Sequence, residues 1–142
     1  MLLFIIKIYY KIQLHRYNLG NWTIEYGRGR FQAGLTNFND NKIVFSKLWL
    51  KRATFKEAKE LFFHEISHIL AGADHGHDEV WRRIYFSLSG SDCVEVPNKI
   101  KDSDYTYECY CSCGFTQLYF IKSRVYCPEC GDSVHYENMS MK

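Results

Sequence analysis

The N-terminal third of the chain alternates apolar and polar positions with a period of two residues. Apolar residues occupy every second position from 6 to 14, and this period with β-branched side chains favours a strand. Residues 22–26 alternate in the same way, and an extended stretch around Phe31 and residues 42–46 are predicted as further strands. Polar turns at residues 18–21 and 37–41 separate these runs. The pattern predicts a small, largely antiparallel sheet built from local hairpins.

The period changes at Thr54, after which apolar residues recur at every third or fourth position. Thr54 and Glu57 have the spacing of a capping box, so a helix is predicted to begin here. Gly72 is a suitable C-terminal stop for it. A second helix is predicted to begin at Asp78 and to end near Gly90.

Residues 64–68 read His-Glu-Ile-Ser-His and lie inside the first of these predicted helices. Residues four apart share one face of a helix, so His64 and His68 can bind a single Zn²⁺ ion. Glu65 is then placed to remove a proton from a water molecule, which is the chemistry of a metallopeptidase. A pattern with three fixed positions also occurs by chance, but a capped helix and further histidines nearby favour the metal site.

A catalytic zinc ion usually has three protein ligands, and two histidines are candidates for the third. His75 and His77 both follow Gly72, in a short polar loop that can fold back toward the helix. The residues themselves leave the two alternatives open.

Five of the six cysteines fall between Cys109 and Cys130, a clustering typical of metal ligands. Cys127 and Cys130 form a Cys-Pro-Glu-Cys-Gly knuckle, and Cys113 is followed by a glycine in the same way. The fourth ligand is Cys111 or Cys109, and we choose Cys111. Four thiolates around Zn²⁺ make a closed, structural site, which stabilises a segment too small to have a core of its own.

Cys93 stands apart from this cluster and is expected to be a free, half-buried thiol. Hydrophobic residues make up 46% of the 142 residues and charged residues 24%, which is ordinary globular usage and excludes a disordered chain or a rod. No apolar run approaches the roughly 18 residues of a membrane helix. Lys7 and Lys11 follow the apolar N-terminus instead of preceding it, so we expect no export signal and a cytoplasmic protein without disulfides.

The net charge of +2 hides an uneven distribution, because residues 1–54 carry nine Lys and Arg against two acidic residues. Basic and aromatic residues that alternate on one surface can bind a single nucleic-acid strand through its phosphates and bases. A solvated face of a sheet would carry the same charges, so the two interpretations are equally open. The residues concerned are Arg28, Arg30, Lys42, Lys47, Lys51 and Arg52, together with Tyr26, Phe31, Phe45 and Trp49.

Taken in order, these motifs resemble the SprT-like zinc metallopeptidases. The resemblance covers nearly the whole chain from about His15, and it implies a zincin-like domain followed by a zinc ribbon. It also implies that His77 is the third ligand, because the family has this histidine four residues before an aromatic residue, as His77 stands before Trp81. The matching segments are Trp-Thr-Ile at 22–24, Ala-Gly at 33–34, Ile-Val-Phe-Ser at 43–46, and residues 64–68 and 77–81.

The chain departs from the family pattern at two places. Asp78 stands where the family usually has glycine, and residues 6–14 alternate like a strand where relatives tend to have a helix. We therefore expect the family's first helix to be truncated or replaced. Tyr107-Glu108-Cys109 matches the family's lead-in to its first ribbon cysteine, which favours Cys109 over Cys111.

The expected fold is α+β, with a small zincin-like domain over residues 1–100 and a zinc ribbon over residues 101–142. The zincin-like domain has an antiparallel sheet, the helix with residues 64–68 and a following helix. The expected function is zinc-dependent cleavage of protein substrates by Glu65, with one catalytic and one structural Zn²⁺. His64, His68 and His77 are the expected ligands of the first ion, and Cys111, Cys113, Cys127 and Cys130 those of the second.

Relatives include a protease of DNA–protein crosslinks, so the resemblance suggests DNA-associated proteins as substrates and single-stranded or damaged DNA as a partner. We expect a monomer that does not associate with membranes. The main alternative is a non-enzymatic adapter that binds nucleic acid through its zinc ribbon. A third interpretation is a metal-dependent hydrolase with substrates other than peptides.

Overall fold

The computed structural model describes residues 1–27, 32–99, 101–119, 122 and 124–139. Its fold is α+β and divides into two compact units, Met1–Lys99 and Ile100–Lys142. The elements of the first unit are α1 (Leu2–Arg16), β1 (Thr23–Gly27), β2 (Gly34–Asn37), β3 (Lys42–Ser46), α2 (Lys47–Arg52), α3 (Phe55–Ala71) and α4 (Glu79–Ser89). Those of the second are a 3₁₀ turn (Asp102–Asp104), β4 (Tyr107–Tyr110), β5 (Thr116–Tyr119) and β6 (His135–Asn138).

The chain begins with a helix, so the prediction of a strand over residues 6–14 is wrong. Ile6, Tyr10 and Leu14 are buried at helical spacing, whereas Ile8 and Ile12 are exposed. The Tyr10 hydroxyl donates a hydrogen bond of 2.7 Å to the main-chain oxygen of Ala58, which fixes α1 against α3. Tertiary packing thus overrides the strand preference of β-branched residues. A helix of 15 residues stands where the family's first helix was expected to be truncated or replaced.

The first sheet has the order β1-β3-β2 and mixes parallel and antiparallel pairing. β2 and β3 form the predicted antiparallel hairpin, but β1 pairs with β3 in parallel, so the prediction of a largely antiparallel sheet is wrong for that strand. Ile43 and Phe45 of β3 are fully buried. The most apolar strand therefore takes the centre, and β2 is left at an edge.

The sequence pattern missed the short helix α2. Its N-cap is Ser46, whose hydroxyl oxygen accepts a hydrogen bond of 3.2 Å from the backbone N–H of Trp49. Trp49 and Leu50 are almost completely buried and join the core of the first unit.

Helices α3 and α4 begin and end where the sequence predicts. The capping box at the start of α3 is complete. The backbone N–H of Thr54 donates a hydrogen bond of 2.7 Å to the Glu57 carboxylate, and the backbone N–H of Glu57 donates one of 3.2 Å to the Thr54 hydroxyl oxygen. Gly72 ends this helix. Asp78 caps α4, and Gly90 ends it in the left-handed conformation that glycine adopts without strain.

The second unit is a three-stranded antiparallel sheet of order β5-β4-β6. Among its described residues, four are buried: Cys109, Cys111, Tyr119 and Cys127. Three of these are cysteines, so hydrophobic packing in this unit is slight. In the described part of the chain, no helix is both long and apolar enough to cross a membrane.

Candidate metal centres

One face of α3 carries the residues that the sequence singled out for chemistry. His64 and His68 are four residues apart, and their ring centroids lie 5.2 Å from each other. His64 is 8% exposed and Glu65 4%, whereas His68 is half-buried. A polar cluster buried this deeply on a helix costs free energy unless its groups have partners.

The structure brings His77 to these two histidines. Its Nε2 atom lies 3.0 Å from Nε2 of His64 and 3.2 Å from Nε2 of His68. The three ring nitrogens therefore converge on one point, and this group could hold a metal ion.

His75 is not part of this group, because its ring is engaged elsewhere. Its Nδ1 atom lies 2.6 Å from Oδ2 of Asp78. The other oxygen of Asp78 accepts a hydrogen bond of 3.0 Å from the backbone N–H of Trp81 and so caps α4. Asp78, the residue that departs from the family's glycine, fixes the start of α4 and keeps His75 beside it.

Trp81 packs against all three imidazole rings and is fully buried. Its ring centroid lies 4.8 Å from that of His64, 5.3 Å from that of His68 and 4.5 Å from that of His77. The indole limits the rotation of the three rings. The sequence pattern gave no sign of this contact.

Burial makes these histidines suitable metal ligands at neutral pH. It lowers the pKa of His64 to about 3, with further contributions from the charges of His68 and His77. The pKa of His68 is also lowered, mainly by burial and then by His77. Both rings are therefore neutral at pH 7, and a neutral imidazole has the free lone pair that a metal ion requires.

Edge strand β2 determines where the Glu65 side chain lies. A Cβ atom at Gly34 would come within 2.5 Å of Oε1 of Glu65, so only glycine leaves room for this carboxyl group. The hydroxyl of Thr36 reaches Oε2 of Glu65 at 2.8 Å and the Glu65 main-chain oxygen at 3.0 Å. Gly34 lies in a segment that resembles the SprT-like pattern, whereas Thr36 has no signal in a single sequence.

Burial also raises the pKa of Glu65 to about 7, and the Thr36 hydrogen bond opposes this rise only in part. A carboxyl group with a pKa near neutrality can both accept and return a proton at pH 7. These are the properties of a general acid–base group.

The histidines and Glu65 open onto a cleft of about 700 Å³. One wall is β2, and a second wall is the segment of residues 94–98, which has no regular secondary structure. The indole N–H of Trp49 donates a hydrogen bond of 2.7 Å to the main-chain oxygen of Pro97, and Lys99 forms an ion pair of 2.8 Å with Glu57. These contacts hold the second wall in place.

The second unit brings together four of the six cysteines, Cys111, Cys113, Cys127 and Cys130, and this group could also hold a metal ion. Sγ of Cys111 lies 3.5 Å from Sγ of Cys130, and Sγ of Cys113 lies 3.6 Å from Sγ of Cys127. A hydrogen bond from the backbone of Cys113 lowers the pKa of Cys111 to about 7, which favours its thiolate form.

The remaining two cysteines lie outside this group. Cys109 is fully buried within β4, and Cys93 is exposed, not half-buried as expected. Gly114 and Gly131 follow the two cysteine pairs with positive φ angles of 98° and 81°, which explains the glycine that the sequence shows after each pair.

The spacing of the donor atoms fits a tetrahedral ion in both groups. With Zn–N bonds of 2.0–2.1 Å, two nitrogens of a tetrahedron are separated by about 3.3 Å, and with Zn–S bonds of 2.3 Å two sulfurs are separated by about 3.8 Å. The observed N···N distances of 3.0 and 3.2 Å and S···S distances of 3.5 and 3.6 Å are close to these values.

The structure does not support the basic aromatic surface as the sequence suggested it. Phe45 and Trp49 are buried in the core and so cannot stack on a base. Arg28, Arg30 and Phe31 lie outside the described residues.

Comparison of the chain with protein-family models, curated proteins and solved structures finds no match.

The roles of the two loop histidines can be separated by substitution. We expect His77→Ala to lower the zinc content of the first unit and to abolish any activity of the site, because it removes one of three converging nitrogens. His75→Ala is expected to retain the metal, because its ring is bound to Asp78. Zinc stoichiometry by atomic absorption on both variants is the measurement, and equal losses would contradict this assignment.

Proposed function

We propose that this protein is a zinc-dependent metallopeptidase of the SprT-like kind. The observation that supports it is the convergence of three imidazole nitrogens, at 3.0 and 3.2 Å, beside the buried carboxyl group of Glu65 in an open cleft. A site that only stabilised the fold would have no use for a carboxyl group with a pKa near 7.

His64, His68 and His77 would hold the catalytic zinc ion. When bound, zinc polarises the scissile carbonyl and makes a water molecule more acidic. Glu65 takes a proton from this water and later gives it to the leaving amine, so the carboxyl group ends each cycle in its starting state. Thr36 keeps the carboxyl group in position through both steps.

The choice of a peptide as substrate rests on the outer edge of β2, which pairs with no other strand among the described residues. The backbone N–H of Ser46 donates a hydrogen bond of 2.8 Å to the main-chain oxygen of Ala33, so the carbonyl group of Ala33 points toward β3. Backbone direction alternates along an antiparallel strand, which directs the backbone groups of Gly34 and Thr36 away from β3. An extended peptide could add to this edge with its carbonyl groups close to Glu65.

The four cysteines of the second unit would hold a structural zinc ion. DNA-associated proteins as substrates remain a proposal that rests on the resemblance to the SprT-like family. If the protein has no peptidase activity, the second candidate function is that of a non-enzymatic adapter that binds nucleic acid.

The proposed function is tested with the zinc-loaded full chain and an unfolded protein such as reduced casein, with and without a single-stranded oligonucleotide. We expect cleavage that stops on chelation and returns when zinc is added. Stimulation by the oligonucleotide would support a DNA-associated substrate. The peptidase proposal fails if neither condition gives cleavage, and oligonucleotide binding without cleavage would favour the adapter.

The contribution of Thr36 can be measured with two substitutions of similar size. Thr36→Val keeps the shape but removes the hydroxyl, and we expect kcat to fall about tenfold or more with little change in KM, since hydrogen bonds to charged groups contribute about 1.5–3 kcal/mol. Thr36→Ser keeps the hydroxyl and should restore most of the rate. Zinc content should not change in either variant. Equal rates for Thr36→Val and wild type would show that the hydroxyl does not position Glu65.

A further inference from the structure

A second cavity, of about 430 Å³, lies where the C-terminal half of α1 meets α3 and the end of α4. Its lining residues on α3 include Lys56, Lys59 and Phe63, which are on a different face of the helix from His64 and Glu65. This cavity is therefore separate from the metal centre, and what it binds does not depend on the proposed peptidase function.

Gln13 lines this cavity with a side chain that lacks a partner. Gln13 is only 7% exposed, and among the described residues none forms a hydrogen bond with its side-chain amide. The amide lines the cavity and has hydrogen-bonding groups to offer, so a group that enters the cavity can bind to it.

The cavity also has more positive than negative charge. Three cations line it, Arg16, Lys56 and Lys59, against one carboxylate, Glu60. Glu60 lies 3.9 Å from Lys56, and in the described part of the chain neither Arg16 nor Lys59 forms an ion pair. Lys59 is half-buried beside this cavity.

Local helix energetics do not account for these cations. Lys56 lies in the first turn of α3, where the helix dipole favours negative charge. Arg16 alone, in the last turn of α1, lies where the dipole favours a cation.

The chemistry of the lining specifies the ligand. Guanidinium, ammonium and amide N–H groups are all donors, and the hydroxyls of Tyr9 and Tyr17 add to them. Such a surplus of donors matches the oxygens of a phosphate group. The aromatic rings of the same lining offer faces on which a base can stack, and the volume lies within the range of small-molecule sites.

We propose that this cavity binds the phosphate of a nucleotide, either free or within a single nucleic-acid strand. Arg16 and Lys59 neutralise the phosphate, and the Gln13 amide donates to one of its oxygens. The tyrosine rings contact the base.

The test measures binding of inorganic phosphate, AMP and a ten-residue oligothymidylate to the zinc-loaded full chain by calorimetry. We expect saturable binding of AMP or the oligonucleotide, and about a tenfold or greater loss of affinity in the double variant Arg16→Gln, Lys59→Gln. The matched control is Lys11→Gln, Arg83→Gln, which changes the net charge equally at two exposed positions outside the cavity. Its affinity should stay within about twofold of wild type.

A third variant separates hydrogen bonding from charge. Gln13→Leu keeps the net charge and nearly the same size, and we expect weaker binding together with a nearly unchanged thermal midpoint, because only the amide that would bind the phosphate is removed. Tighter binding of the oligonucleotide than of AMP would identify a strand as the source of the phosphate, and the reverse would identify a free nucleotide. The proposal is overturned if no probe binds, if only inorganic phosphate binds, if Gln13→Leu binds as wild type does, or if the control pair weakens binding as much as Arg16→Gln, Lys59→Gln.

Discussion

Replacement of Glu65 by Gln should lower kcat/KM for peptide cleavage by about 10²- to 10⁴-fold, the usual contribution of a general acid–base group. Gln has nearly the shape of Glu, so it fits beside Gly34 and can still bond to Thr36, but it cannot take a proton from water. The three histidines do not change. The variant should therefore bind as much zinc as the wild type, which is the control for a damaged site.

Glu25→Gln is the matched control substitution. Glu25 lies on β1, where its exposed carboxylate forms an ion pair with Lys42 of β3, and it does not line the cleft. Its activity should equal that of wild type. Equal activity of Glu65→Gln and wild type, at equal zinc content, would contradict the role of Glu65.

The same substitution should stabilise the chelator-treated protein in a pH-dependent way. The pKa of Glu65 is about 7 in the folded state, against 4.5 for an ordinary Glu, so the folded state holds this proton more tightly. This tighter proton binding contributes to the free energy of unfolding on the order of 1–3 kcal/mol. The contribution of Glu65 is complete below about pH 4.5 and is lost as pH rises through about 7. Because Gln does not titrate, its advantage over wild type in the first unit's unfolding free energy should grow between pH 5 and pH 8. Denaturant unfolding at several pH values measures it, and a constant difference would argue against a buried, high-pKa carboxyl group.

Replacement of Cys127 by Ser should unfold the second unit. Hydrophobic burial there is confined to a few residues, most of them cysteines, so the metal is expected to supply most of the stability, about 10–16 kcal/mol for structural zinc sites. The zinc content should fall from two ions per chain to one. Backbone amide signals of residues 107–119 should collapse to random-coil positions in the NMR spectrum, while those of α3 and α4 stay.

Cys93→Ser is the control for this experiment, because Cys93 is exposed and lies outside the four-cysteine group. It should leave both zinc content and spectrum unchanged. A folded second unit in Cys127→Ser, with one zinc ion lost, would show that the sheet is stable without its metal.

The sequence was most informative where local signals and tertiary packing agree. The capping box at Thr54 and the cap at Asp78 are local hydrogen-bond patterns, so the bounds of α3 and α4 could be predicted. Residues 64–68 could be placed on one helix face for the same reason. The proximity of His77 to His64 followed only from the resemblance, since loop geometry is not encoded in spacing.

The errors occur where long-range contacts decide the outcome. Residues 6–14 satisfy a strand period and a helix period at once, and their contact with α3, through Tyr10 and Ala58, selects the helix. The parallel pairing of β1 with β3 joins strands distant in the chain, whereas sequence patterns favour neighbours. Thr36 and Trp81 were missed as site residues because only the folded structure places them against Glu65 and the histidines.

The wall formed by residues 94–98 has a practical consequence for dividing the protein. This segment follows the last helix of the first unit and resembles a linker in sequence, yet it lines one side of the cleft. The hydrogen bond between Trp49 and Pro97 and the ion pair between Lys99 and Glu57 hold it in place. A fragment cut after Gly90 would keep every histidine and Glu65 but lose that side of the cleft. Expression of the first unit alone should therefore extend through Lys99.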